Sequence, residues 1–360
     1  MRNDFPKPSP HRNESPSKDE VQFIVGGRYS VRVGPGLTKA QLASILSLYQ
    51  LDPPDALVRT TRLNSTYWVD VHGRRYVVRV TQGRSLEHLQ FEHELLRRLD
   101  EQALGVPKLV HNMARGTHTP WARRGRFVSL FEYPRGRPLG RFELRAGHAA
   151  QVGAWLGHFH ETSRLRRRSC QLPDLPVVVM ERLERLQRAL DQRRLPRRYR
   201  DPIASLARWA DGSPWIPSDL PSGPIHAAPD AANARFVNDR LSGFVGFEGA
   251  GIGPRLRDLA HGLHEWTWVP EPKTTRGPAG AHDLDAVKRL LEGYDSRRAM
   301  NEVERENLVP MLSWLALADA TACLVDFELR RLRNRPYRDY RHGLARLRAL
   351  EASEPVLTRS

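Results

Sequence analysis

The chain has 360 residues, enough to bury a sizeable core in one large unit or two smaller ones. Hydrophobic residues make up 40% and charged residues 27%, an ordinary globular balance, and the absence of an apolar run of about 18 residues excludes an evident membrane span. The formal net charge is +16 and only six of the 57 basic residues are Lys, so any anionic partner would meet arginine forks rather than ammonium groups.

Residues 1–20 are Pro, Ser, Asn and charge without an apolar segment, and read as a disordered tail rather than a signal peptide. Residues 21–36 alternate (Val21, Phe23, Val25, then Tyr29, Val31, Val33) around Gly26-Gly27, as in a hairpin or arm. Leu37 to Leu51 has helical spacing at Leu42, Ile45, Leu46 and Tyr49. Strands are expected near 56–60, 67–71 and 76–80, the last two joined by the tight turn His72-Gly73-Arg74. A helix over Glu87 to Leu99 and strands at 106–110 and 127–131 complete a small, mostly antiparallel lobe, residues 21–133. Pro134 to Pro138 is linker-like. Residues 134–360 then read as a mainly helical lobe, with helices at 146–161, 177–190, 202–209, 286–294, 302–331 and 340–350. The fold class is α+β, in two lobes.

Residues 222–250 interrupt those helices, and their spacing is informative. Phosphoryl-transfer loops place an Asp two residues after a His-type anchor, and an Asn five residues after that Asp. The Asp takes the acceptor proton and the Asn holds magnesium. Here His226 and Asn233 stand at the required separation, but the position between them is Ala228. A hairpin over 236–241 follows. The next strand, Ser242 to Phe247, should end in a metal-binding Asp before the aromatic, and the residue there is Gly246. Asp230 and Glu248 are the nearest candidate substitutes. Asp230 lies only three residues before Asn233, which does not suit the usual loop geometry.

The order of these segments resembles the aminoglycoside phosphotransferase family, and within it the homoserine kinase branch. The likeness covers roughly residues 37–345. It is carried by Tyr76-Val77-Val78-Arg79-Val80, Phe91-Glu92-His93-Glu94, the run Leu130 to Leu139, Val152 to His160, the 225–250 segment and Gly253 to Ala260 with its Asp258-Leu259-Ala260. The resemblance implies a protein-kinase-like fold, with one helix in the small lobe, and ATP- and magnesium-dependent transfer to a small-molecule hydroxyl. It implies that Arg79 faces nucleotide phosphates with Glu92 as its ion-pair partner, the alternative being an ordinary surface pair. It implies that Phe131, Glu132 and Tyr133 form the hinge that receives adenine through backbone groups. The phosphate-covering loop is Arg62 to Thr66 and contains no glycine. His226 and Asp258 brace the catalytic loop, Asp258 alternatively capping a helix, and Asn233 is left as a weak magnesium ligand. Glu265, Trp266, Trp268 and Trp314 belong to the acceptor side or to the core.

With both acids replaced, the expected function is that of a pseudokinase, a degenerate member that binds a nucleotide, a metabolite or a protein partner. The alternatives are an active kinase using Asp230 and Glu248, and a basic scaffold whose Arg-rich stretches (164–168, 193–200, 330–341) contact nucleic acid or an acidic protein. Cys170 and Cys323 are far apart and lack metal spacing, as expected of reduced thiols in a cytoplasmic protein.

Overall fold

The computed structural model describes residues 37–61, 65–82, 84–120, 126–165, 170–270, 280–329 and 339–357. The tail, the 21–36 arm, most of the 62–66 loop and much of the Arg-rich 164–168 and 330–341 stretches lie outside them.

The small lobe is one antiparallel sheet, with strands β1 (Ala56–Thr61), β2 (Ser65–Val71), β3 (Arg74–Gln82), β6 (Arg126–Glu132) and β4 (Leu109–Val110) in the order β1-β2-β3-β6-β4, and β5 (Thr119–Pro120) also paired to β6. The turn between β2 and β3 is His72-Gly73, both left-handed, which matches the strand twist. Side chains alternate across a strand, so Val78 and Val80 of β3 face one way and Arg79 the other. Val78 and Val80 join Tyr67, Val69, Val71, Val128 and Leu130 in a core closed by Leu42, Ile45, Leu46 and Tyr49 of α1 (Lys39–Ser47). Thr38 and Gln41 form a capping box at the start of α1. Arg79 faces α2 (Leu86–Glu101), which buries Phe91, Glu92, Leu95, Leu96 and Leu99. The small lobe therefore holds two helices, α1 in addition to the one that the resemblance implied.

The large lobe is built on α3 (Ala146–Thr162) and α7 (Leu284–Asp295), which touch backbone to backbone. A Cβ at Gly153 would fall 1.9 Å from Leu290 O, and one at Gly293 would fall 2.2 Å from Ala150 O. Around this pair lie α4 (Leu175–Asp191), α5 (Arg200–Gly212), α6 (Leu256–Trp266), α8 (Glu302–Glu306), α9 (Leu308–Cys323) and α10 (Arg341–Leu357). Three small ribbons complete it: β7 (Ser222–Ile225) with β10 (Gly251–Pro254), β8 (Ala234–Val237) with β9 (Arg240–Phe244), and β11 (Trp268–Pro270) with β12 (Gly280–His282).

The single helix expected over 302–331 is three pieces. Asn307 ends α8 and begins α9, Pro310 sits in the first turn of α9 where its missing N–H costs nothing, and residues 324–329 widen into a π-helical turn. Leu308–Leu329 is apolar and long enough, by composition and length, to cross a membrane, contrary to the expectation of no such segment. In the fold, 83% of its most apolar window is buried inside the protein.

Candidate functional site

The loop that follows β7 is held from below. Asp258, in the first turn of α6, accepts the backbone N–H of His226 on Oδ2 (2.6 Å) and that of Ala227 on Oδ1 (2.7 Å). His160 Nε2 donates to the same carboxylate at 3.3 Å. Burial alone would raise the Asp258 pKa; the hydrogen bond and charge of His160, with the His226 side chain and amide, outweigh it and hold this carboxyl below its ordinary value. Asp258 thus holds the two loop amides and does not cap α6, which begins two residues earlier at Leu256.

His226 is likewise structural. Its Nε2 donates to Val245 O (3.0 Å), its Nδ1 accepts from the Ala228 N–H (3.3 Å), and burial pushes its pKa down so that the ring stays neutral. Trp266 Nε1 donates to Pro229 O at 2.7 Å, tying the loop to the end of α6. Behind Asp258 a buried chain continues outward. His160 Nδ1 accepts from the Tyr294 hydroxyl (2.9 Å), which accepts from Arg298 Nη1 (2.8 Å), and Arg298 Nη2 donates to Glu304 (2.9 Å).

The residues at the key positions of the loop face one another. Ala228 is buried and presents a methyl group. Its carbonyl accepts from Asn233 Nδ2 (3.0 Å) and from the Asp230 N–H (2.9 Å). Asp230 is buried, and its Oδ1 accepts the Asn233 N–H (2.9 Å), the capping role that Asp favours in a tight turn. Asn233 lies against Gly246, which has φ +89°; a Cβ added at Gly246 would stand 2.6 Å from Asn233 Oδ1. The space into which a side chain at 246 would grow is occupied by the amide.

Across the cleft, Arg79 on β3 makes a 2.7 Å ion pair with Glu92 on α2, a charge contact rather than an aligned hydrogen bond. Both are buried, so the pair is not the surface contact that was the alternative. The guanidinium lies over the Phe131 ring, 4.8 Å from its centre. Glu248, in the 3-10 turn Phe247–Gly249 of the large lobe, approaches Arg79 Nη1 to 3.8 Å. Arg79 Nε and Nη2 are buried without a hydrogen-bond partner among the described residues. At the hinge, the Glu132 N–H donates to Lys108 O (2.9 Å), the Tyr133 N–H donates to Arg75 O (3.1 Å), and Pro134 has no N–H. Over these three residues no backbone donor is left for a base.

The structure therefore gathers the expected residues into two groups, Arg79-Glu92-Glu248 and His226-Ala228-Asp230-Asn233-Gly246-Asp258, with Glu132 and Tyr133 at the end of β6. Sequence reasoning assigned no role to His160, read Phe131 as part of the hinge rather than as the ring beneath the guanidinium, and did not read Trp266 as a donor. His160, Asp258 and Pro229 stood in the matching motifs, but their pairings, His160 with Asp258 and Trp266 with Pro229, did not. Glu265 and Trp268 both meet Arg346, which pairs with Glu265 at 2.7 Å and lies over the Trp268 ring.

A basic residue on the third strand, paired to the helix of the small lobe and facing a loop braced from the large lobe, defines a two-lobed protein-kinase-like phosphotransferase fold. The chain belongs to the phosphotransferase enzyme family (APH), whose pattern it matches over residues 57–300. It is similar to the homoserine kinase of Janthinobacterium sp. (strain Marseille), 25% identical over 280 residues that cover 74% of this chain and 79% of the relative. It is also similar to the homoserine kinase of Granulibacter bethesdensis, 27% identical over 283 residues, covering 71% and 79%. Among solved structures, a spectinomycin phosphotransferase in complex with ADP and spectinomycin has a TM-score of 0.64 at 14% identity, covering 88% of this chain and 99% of that one. An aminoglycoside phosphotransferase from Alicyclobacillus acidocaldarius has 0.58 at 17%, covering 93% and 96%. At such identities these structures show the fold alone.

The magnesium ion that the family implies does not fit the residues present. Among the described residues no three His, Cys, Asp or Glu side chains converge as a cation site. Glu248 is turned towards a guanidinium, and the Asn233 amide is packed on Gly246. Mg²⁺ keeps several waters and is held by one or two carboxylates together with substrate phosphates, and the position that would supply that carboxylate is Gly246.

Proposed function

We propose that this protein is a pseudokinase of the phosphotransferase family, binding a phosphate-bearing small molecule, such as a nucleotide, without transferring the phosphoryl group. One observation carries the reading: the acids required at 228 and 246 are a methyl group and a bare Cα, and the Asn233 side chain fills the space beside the latter. A positioned general base contributes about 10²–10⁴ in rate, and electrostatic stabilisation of the moving group is often worth more. Neither Asp230 nor Glu248 replaces them. Asp230 holds the Asn233 N–H and Glu248 faces Arg79. What supports binding is the arginine fork, buried yet with two of its nitrogens unpaired among the described residues. The protein-partner and nucleic-acid readings have no comparable observation behind them.

The test is a phosphotransfer assay with ATP, magnesium and homoserine or other small amino alcohols. The expected result is no transfer above background alongside measurable ligand binding. Turnover that is abolished by Asp230→Ala would refute the proposal.

A further inference from the structure

Among the described residues, Arg79 is the side chain in the cleft that both lobes contact with charge. Glu92 reaches it from α2 of the small lobe and Glu248 from the large lobe, and both carboxylates approach the same nitrogen, Nη1. The opposite edge of the guanidinium, Nε with Nη2, is the edge that binds two oxygens of one phosphate at once, and it has no hydrogen-bond partner among the described residues. Phe131 covers one face of the plane, which fixes its orientation.

Charge decides what can enter. Two carboxylates on one guanidinium leave the group at one net negative charge. A phosphate arriving there adds further negative charge, and in a partly dry cleft like charges at close range are costly. Kinases of this fold class relieve such repulsion with metal ions bridging the phosphates. Here the metal does not fit. The remaining route is for one carboxylate to leave. Glu92 is buried on α2 and stays; Glu248 is partly exposed, lies at the longer 3.8 Å, and sits on a short turn after Gly246. Its withdrawal into water leaves a neutral Arg79-Glu92 pair and frees Nη1 of its second carboxylate, beside the buried, unpartnered Nε–Nη2 edge.

We infer that this cleft takes a phosphate group on Arg79 without a divalent metal ion, and that Glu248 is the internal anion which the phosphate displaces. The inference rests on the binding function proposed above. It makes Glu248 a competitor and a clasp: with no ligand the Arg79–Glu248 pair joins the lobes, and a phosphate breaks that pair as it binds. The shared chemistry is a phosphate or diphosphate group, whether carried by a nucleotide or by a smaller ester.

Calorimetry on the full chain tests this, with pyrophosphate and ADP as probes, first in EDTA and then with magnesium chloride. The expected result is binding in EDTA that magnesium does not strengthen, and an affinity about tenfold tighter in Glu248→Gln, the size expected when one charged competitor is neutralised. Arg79→Lys, which keeps the charge but loses the fork, should bind more weakly. ADP tighter than pyrophosphate points to a nucleotide as the natural source, and equal affinities to a smaller ester; both support the site. Binding that disappears in EDTA and returns with magnesium overturns the inference. So does an unchanged or weaker Glu248→Gln, or the absence of heat with either probe in both proteins. Glu248 is partly exposed, so Glu248→Gln should fold, and its affinity is the deciding measurement. The function proposed above fails on turnover, whereas this inference fails on metal dependence or on the Glu248 response.

Discussion

The carboxylate of Asp258 receives the N–H of His226 on one oxygen and the N–H of Ala227 on the other, 32 and 31 residues away in the chain. Two adjacent backbone donors on one buried acid fix the direction in which the loop leaves β7. Ala227 pays for that geometry with a left-handed φ of 66°. Asp258→Ala leaves both backbone donors and the His160 Nε2–H unpaired in the interior, and should cost about 3 kcal/mol or more in chemical denaturation. Hydrogen exchange across 226–233 should accelerate before global unfolding does. Loss of stability without faster local exchange would contradict the bracing role.

Acid should act first through histidines. Burial, then the charges of Arg79 and His118, push His93 down to about 2, and burial with Arg346 brings His282 to about 4. These folded values lie below the ordinary one of about 6.5, so the unfolded chain binds more protons once the pH falls below that point. The stability they contribute is complete above pH ~6.5 and is lost on acidification, down to about 4 for His282 and further for His93. Each adds roughly 1.4 kcal/mol per pH unit within its window. Guanidinium titrations at pH 7.5, 6.5, 5.5 and 4.5 should show the decline, and His282→Gln should make it shallower. Equal stability at 7.5 and 5.5 would refute the assignment.

Gly246 should resist substitution. At φ +89°, and with Asn233 Oδ1 2.6 Å from the site of a Cβ, Gly246→Ala should lose about 1–3 kcal/mol, and Gly246→Asp at least as much. Pairing either with Asn233→Ala should recover part of the loss, because the amide then no longer fills the space. A thermal-melt comparison of the singles and doubles decides it. Additive losses would show that the clash is not the cause.

Trp266→Phe keeps a ring in the core but removes the donor to Pro229 O. The orphaned carbonyl should cost about 1–2 kcal/mol. The same substitution at Trp215, whose ring is more than half exposed, should cost much less. Equal effects would mean that ring packing, rather than the hydrogen bond, carries the contribution of Trp266.

The small lobe was legible because its strands obey a period of two. Tyr76 to Val80 sends Val78 and Val80 to α1 and Arg79 to the cleft, and the turn His72-Gly73 sets the register. The frame of the loop was legible as well, because His226 and Asn233 keep a separation that chain geometry imposes. The contacts that decide its chemistry were not. His160 meets Asp258 from 98 residues away, and no local pattern encodes that pairing. The approach of Asn233 to Gly246, and the turn of Glu248 towards Arg79 rather than towards a cation, depend on how separate segments pack. The breaks in the expected 302–331 helix are local, and Asn307 with Pro310 signalled the first of them.

The contact between Asn233 and Gly246 also bears on descent. A single codon change that brings aspartate to 246 delivers a side chain into a filled place, and at 228 the methyl must change as well. On the function proposed above, installing both acids therefore needs at least two substitutions and a repositioned amide.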